Sequence, residues 1–194
     1  MRVLSFADMH GNRSAFDALR IKAKDADLII CAGDISVFER MLDELIFKLA
    51  ELGKPTLILH GNHENTASIK DVIRKHDNIV FLHKGLYELN GISFIGYGGG
   101  GFSHKDDEFL EFFRKVKPFL KQKTVLVTHG PPHGTAVDFV GNSHVGNKDF
   151  LEFIREIQPV LAVSGHIHET AGYECSVGKT RVINPGAFGK VIDI

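Results

Sequence analysis

Five short segments of the chain carry side chains able to hold a metal ion. They read Asp8-Met9-His10-Gly11, Gly33-Asp34, Gly61-Asn62-His63-Glu64, His129-Gly130 and Gly165-His166-Ile167-His168. Within them Asp8, His10, Asp34, Asn62, His129, His166 and His168 supply seven oxygen or nitrogen donors and no thiolate. A single structural zinc takes four ligands, often with cysteine among them. Seven O and N donors instead suit two divalent transition ions about 3.5 to 4 Å apart, joined by a shared carboxylate. Asp34, the lone carboxylate of its segment, is the residue expected to bridge.

Each segment follows a short apolar run, at residues 3–7, 28–32, 56–59, 124–128 and 160–163. Continuous apolarity at this length suits strands buried on both faces. Helical patterns lie between the runs. The clearest covers 37–52, where Phe38, Met41, Leu42, Leu45, Ile46, Leu49 and Leu52 share one stripe. Ser36 and Glu39 would form a capping box in front of it, and Gly53 with Pro55 would end it. Further helices are expected to begin near Ser14, Ala67 and Lys148.

Alternation of strand and helix over the first 60 residues implies parallel pairing. Asn90-Gly91 and Gly178-Lys179, each between apolar runs, predict antiparallel hairpins. The expected fold is therefore α/β: two mixed β-sheets packed as a sandwich and flanked by helices (four layers, αββα), in one domain over 1–194. In α/β sheets ligands bind beyond the carboxyl ends of the strands, so five distant segments would meet in one crevice.

Composition narrows the partners. Lys plus Arg number 23 against 24 for Asp plus Glu, a net charge of -1, which argues against stable nucleic-acid binding by bulk electrostatics. No apolar stretch approaches the roughly 18 to 20 residues that span a bilayer, so no membrane partner is expected. Cys31 and Cys175 are too few for a disulfide framework and read as buried thiols of a reducing compartment. The opening run meets Asp8 at once, unlike a signal peptide. A cytoplasmic location is the expectation, and a homodimer is compatible with it.

Asp-x-His, Gly-Asp, Gly-Asn-His-Glu, His-Gly and Gly-His-x-His in this order resemble the calcineurin-like metallophosphoesterase superfamily, over residues 5–170. The resemblance implies the same sandwich fold. It also implies that Asp8, His10, Asp34 and His168 hold one metal, that Asp34, Asn62, His129 and His166 hold the other, and that His63 is the catalytic histidine. A water bridging two divalent ions would lose its proton near neutral pH and attack phosphorus, with the ions offsetting phosphoryl charge and His63 donating to an oxygen of the ester. Mn²⁺ is the ion expected to support activity, although the donor set also admits Fe, Co, Ni or Zn.

Among the activities of that superfamily, a phosphodiesterase for small or nucleotide-like esters fits best. There is no long insertion or basic surplus to grip a duplex. The Asp-Arg pair that follows Gly-Asp in the protein phosphatases is absent from Asp34-Ile35-Ser36-Val37-Phe38-Glu39-Arg40. A phosphomonoesterase, for proteins or small molecules, is the alternative. A non-catalytic scaffold of the same fold is a weaker one, because His63 and all seven donors are present. Glu64 reads as a supporting residue. Gly96 to Gly101 matches G-x-G-x-x-G, but no acidic residue follows at dinucleotide-site spacing, so it reads as a loop near the site. The basic and acidic residues of Lys105 to Lys117 read as a solvated helix face. No substrate-binding residue is assigned, and Arg13, His133 and His144 are left open.

Overall fold

The protein is described over residues 1–194 by a computed structural model. Its first half runs β1 (Arg2–Phe6), α1 (Arg13–Lys22), β2 (Leu28–Cys31), α2 (Leu42–Ala50), β3 (Thr56–Ile58), α3 (Thr66–Ile73), β4 (Ile79–Phe81), β5 (Gly85–Leu89) and β6 (Ile92–Tyr97). The second half runs α4 (Asp107–Val116), β7 (Lys123–Thr128), β8 (Phe139–Val140), β9 (Ser143–His144), α5 (Lys148–Ile157), β10 (Leu161–Val163), β11 (Glu174–Val177), β12 (Thr180–Ile183) and β13 (Lys190–Asp193).

One sheet has the order β13-β1-β2-β3-β4 and the other β11-β12-β10-β7-β6-β5; β8 and β9 form a separate small hairpin. The strands that precede the five donor segments run parallel to one another within each sheet, β1, β2 and β3 in the first and β7 and β10 in the second. Antiparallel β13, β11 and β5 form sheet edges, pairing with β1, β12 and β6. Between the sheets lies a layer of Val3, Ile30, Leu57, Phe94, Val127 and Val163, all essentially buried. Fully burying each such side chain contributes about 1.5–3 kcal/mol. Outside the first sheet Leu19, Ile46 and Ile69 come from α1, α2 and α3. Outside the second, Phe109, Phe113 and Phe153 come from α4 and α5. The predicted four layers are present.

Local signals explain most boundaries. Asn12, Asn65, Asp106 and Asn147 cap α1, α3, α4 and α5 by accepting from backbone N–H groups of the first turn. Asn90-Gly91 makes the expected hairpin between β5 and β6. The charged side chains of helix α4 form the expected solvated face, and Phe109, Phe112 and Phe113 are buried on its inner side.

The expected helix over 37–52 requires correction. Only Leu42–Ala50 is helical, and Phe38, Glu39 and Met41 have φ of 47°, 63° and 58°. The supposed capping box is occupied elsewhere. Ser36 Oγ donates to Glu64, and Glu39 accepts from Asn65 and Ser68, so neither can close a helical turn at residue 37. Long-range hydrogen bonds outweigh a local cap.

Candidate metal centre

All five donor segments leave their strands at the carboxyl end. Asp8, Asp34, Asn62, His129 and His166 stand between one and four residues beyond β1, β2, β3, β7 and β10. Four of the seven donor residues, Asp8, His10, Asp34 and His166, have positive φ, from 49° to 70°. This backbone region is uncommon for non-glycine residues and clusters at functional sites, where surrounding contacts must over-determine it. Here the contacts are inter-loop backbone bonds: Asp8 N to Gly33 O at 3.0 Å, His10 N to Asp34 O at 3.0 Å, and Gly165 N to His129 O at 2.9 Å. Two glycines let the loops meet. A Cβ on Gly33 would lie 2.7 Å from His129 Nδ1, and one on Gly165 would lie 2.7 Å from Asp8 Oδ2.

Backbone carbonyls decide which ring nitrogen faces inward. His10 Nδ1 lies 3.1 Å from Ser36 O, and His129 Nδ1 lies 2.9 Å from Ala32 O. A carbonyl only accepts, so both Nδ1 atoms carry the proton and both Nε2 atoms present lone pairs. His10 Nε2 is 3.2 Å from His168 Nε2, and His129 Nε2 is 3.1 Å from Asn62 Oδ1. Asn62 Oδ1 is also 3.0 Å from His166 Nδ1. Asp34 Oδ2 lies between the two groups, 3.9 Å from His10 Nε2 and 3.5 Å from His129 Nε2. Asp8 Oδ1 is 4.0 Å from His168 Nε2. Two lone pairs face each other where His129 Nε2 meets Asn62 Oδ1, and they repel unless a cation sits between them; an N···N edge near 3 Å, as between His10 and His168, is also what metal–nitrogen bonds of about 2.0–2.1 Å create. The chemistry of the donors therefore fits divalent metal ions. Three overlapping groups have ligand atoms close enough to share an ion: Asp8 with His10 and His168, Asp8 with Asp34 and His129, and His10 with Asp34 and His63.

Electrostatics favour a neutral, ligand-ready His166 and pull Asp8 in two directions. Burial, then the neighbouring His129, pushes His166 down to about 4, which keeps its imidazole neutral at physiological pH. Burial raises Asp8, opposed by His129 and by the His166 amide, which donates to both Asp8 oxygens at 3.0 and 2.9 Å.

His63 occupies the edge of this cluster. Its amide donates to Asp34 Oδ1 at 3.0 Å, its Nε2 lies 3.9 Å from Asp34 Oδ2, and its ring centroid is 4.8 Å from that of His10. Glu64, next along, is buried beneath the loops. Its Oε1 accepts from Ser36 N and Ser36 Oγ, both at 2.8 Å, and its Oε2 from Asp34 N and Gly61 N, both at 3.1 Å. It thereby ties the Asp34 segment to the Asn62 segment. Burial raises its pKa, opposed by those donors.

The residues left open by the sequence fall elsewhere. Arg13 lines a groove of about 790 Å³ between α1 and α2 that contains none of the seven donors. His144 Nδ1 bonds Asp138 Oδ1 at 2.7 Å, and His133 Nδ1 is 3.8 Å from Asp138 Oδ2. Asp138 is fully buried and also accepts from the amides of Gly134, Thr135 and Gly146, a hub that no sequence pattern announces. The glycine loop does border the site, with Gly99 N bonded to His60 O at 3.0 Å and Phe102 beside His166.

Comparison with known proteins gives a consistent picture. A family model described as calcineurin-like phosphoesterase matches residues 1–170. A curated relative, UPF0046 protein K07C11.7 of Caenorhabditis elegans, is 26% identical over 216 residues, covering 98% of this chain and 71% of its own length. The crystal structure of TT1561 of Thermus thermophilus superposes with a TM-score of 0.77 at 16% identity, covering 95% of this chain and 88% of that one. A dimetal phosphatase from Danio rerio superposes with a TM-score of 0.64 at 11% identity, covering 94% and 86%. At these identities the two structures speak for the fold alone.

Proposed function

The chain belongs to the calcineurin-like phosphoesterase family, and on that premise we propose that it hydrolyses phosphodiesters, small or nucleotide-like, at a pair of divalent metal ions. Asp8, His10, Asp34 and His168 would hold one ion, and Asp34, Asn62, His129 and His166 the other. The observation that carries this reading is the position of Asp34 Oδ2, within 3.9 Å of His10 Nε2 and 3.5 Å of His129 Nε2, one donor from each set. When bound, the ions supply Lewis acidity, acidifying a water and offsetting phosphoryl charge. Mn²⁺ is the ion we expect to support activity.

The chain's own residues do the rest. His63, at the rim beside His10, would donate a proton to the departing ester oxygen, a contribution of about 10² to 10⁴ in rate. Ser36 O and Ala32 O fix the His10 and His129 tautomers, leaving each Nε2 with the lone pair by which it would hold an ion. Diester preference is supported by a pocket of about 340 Å³ next to His10 and His168, lined on its far side by Asn12, Ala171, Gly186 and Ala187. It has no lysine or arginine to meet the extra charge of a monoester.

The test compares bis(p-nitrophenyl) phosphate with p-nitrophenyl phosphate across Mn²⁺, Fe²⁺, Co²⁺, Ni²⁺ and Zn²⁺, for wild type and His63→Ala, with metal content measured on each. The diester should be the faster substrate, and the variant should lose about 10²-fold or more while keeping its metal. A consistently faster monoester would replace the diester reading, and a fully active His63→Ala would remove the proposed acid.

A further inference from the structure

Nine large hydrophobic side chains are exposed, and two of them stand against histidines of the candidate centre. Phe38 is 74% exposed with its ring centroid 4.5 Å from that of His63, and Phe102 is 61% exposed with its centroid 4.7 Å from that of His166. They reach the rim from different sheets, Phe38 from the turn between β2 and α2, Phe102 from the loop between β6 and α4.

Neither ring is placed by burial. Phe38 lies at φ 47°, in a turn where Glu39 and Met41 are also left-handed. A bulky side chain in that region is an outlier that costs free energy and needs outside support. The support is visible: Glu39 accepts from Asn65 N at 2.8 Å and from Ser68 Oγ at 2.9 Å, and Val37 bridges Arg40. Phe102 follows Gly99, Gly100 and Gly101, all at positive φ, with Gly99 N anchored on His60 O. A strained turn and a glycine loop, each anchored by hydrogen bonds, thus hold apolar faces in water beside the groups that would meet a substrate. Apolar rings held in water at a site rim are suited to stacking on a planar group.

We infer that Phe38 and Phe102 are specificity residues that stack on planar aromatic substituents of the ester, so that the substrate is a phosphodiester bearing a nucleobase. This deepens the proposed function and rests on it. Phe38, beside His63, would contact the departing group; Phe102, beside His166, would contact the substituent that leaves with the phosphate.

Two substrates with the same leaving group separate the roles: thymidine 5′-(p-nitrophenyl phosphate) and methyl p-nitrophenyl phosphate. Wild type should prefer the nucleoside ester in kcat/KM by about tenfold or more, and Phe102→Leu, which keeps an apolar side chain but no ring, should reduce that ratio about tenfold through KM. Phe102→Tyr should restore it. Phe38→Leu should lower kcat/KM for both aryl esters and leave the ratio within about twofold. Both rings are exposed, so the variants should fold, and metal content equal to wild type confirms an intact centre. In parallel, calorimetry compares thymidine 5′-monophosphate with inorganic phosphate on metal-loaded wild type and Phe102→Leu.

Active enzyme whose substrate ratio ignores Phe102→Leu overturns the aromatic inference and leaves the hydrolytic reading standing. No hydrolysis, but tight thymidine monophosphate binding lost in Phe102→Leu, upholds the base-stacking role of Phe102 and sinks the hydrolytic reading with the ester substrate that rests on it. Neither hydrolysis nor a preference for the nucleotide overturns both.

Discussion

Glu64 and Asp138 are both buried carboxylates that accept four good hydrogen bonds, yet they organise different things. The donors to Glu64 include Asp34 N, Ser36 N and Ser36 Oγ, about 30 residues away along the chain. Those to Asp138 come from Gly134, Thr135, His144 and Gly146, all within eight residues. One carboxylate clamps two strand ends of a sheet together at the metal-binding rim. The other folds a single loop upon itself. The same physics, a buried charge satisfied mainly by backbone N–H groups, builds a site where its donors are distant and a local scaffold where they are near.

That contrast can be broken by substitution. Glu64→Gln keeps the shape but turns an amide NH₂ toward donors, leaving at least one buried N–H unpaired at about 1–3 kcal/mol. The Asp34 and Asn62 segments should then separate, and metal affinity should fall about 10- to 100-fold, as with other supporting residues behind ligands. Metal titration followed by activity at saturating metal checks this; unchanged affinity would mean that the clamp is not what positions Asp34. Asp138→Asn should cost a similar stability, seen as a lower Tm, with metal content retained and activity changed by no more than several-fold. Its loop touches the rim through Thr170 Oγ1, which donates to Val137 O at 2.9 Å, so loss of metal from this variant would show that the loop and the site are one unit. The smallest effect sharpens the comparison. The two hubs share no hydrogen-bond partner, so the stability losses of the double variant should add to within about 0.5 kcal/mol in denaturant unfolding.

Much of the fold is legible from the chain. The apolar runs at β1, β2, β3, β7 and β10 and the Asn90-Gly91 turn carry their own instructions, because strand burial and hairpin geometry depend on adjacent residues. Strand β13 is not legible, since the short run near the C-terminus becomes a strand only by pairing with β1. Residues 37–41 fail for the opposite reason. Their helical stripe is real, but Glu39 finds its partners on Asn65 and Ser68, beyond the reach of any local pattern. The donors of the site were recognisable because each follows a strand; Phe38 and Phe102 were not, because an aromatic at a rim has the same spacing as one in a core.

The amino-acid order by itself determined which donors exist and that each would emerge at the carboxyl end of a strand, because strand direction and crossover handedness leave little choice. Tertiary structure alone decided which atoms of those donors converge. His10 and His129 present Nε2 only because Ser36 O and Ala32 O, brought in from another strand end, take the proton on Nδ1. A tautomer is chosen by the neighbour that accepts its hydrogen, and in a folded chain that neighbour need not be near in sequence.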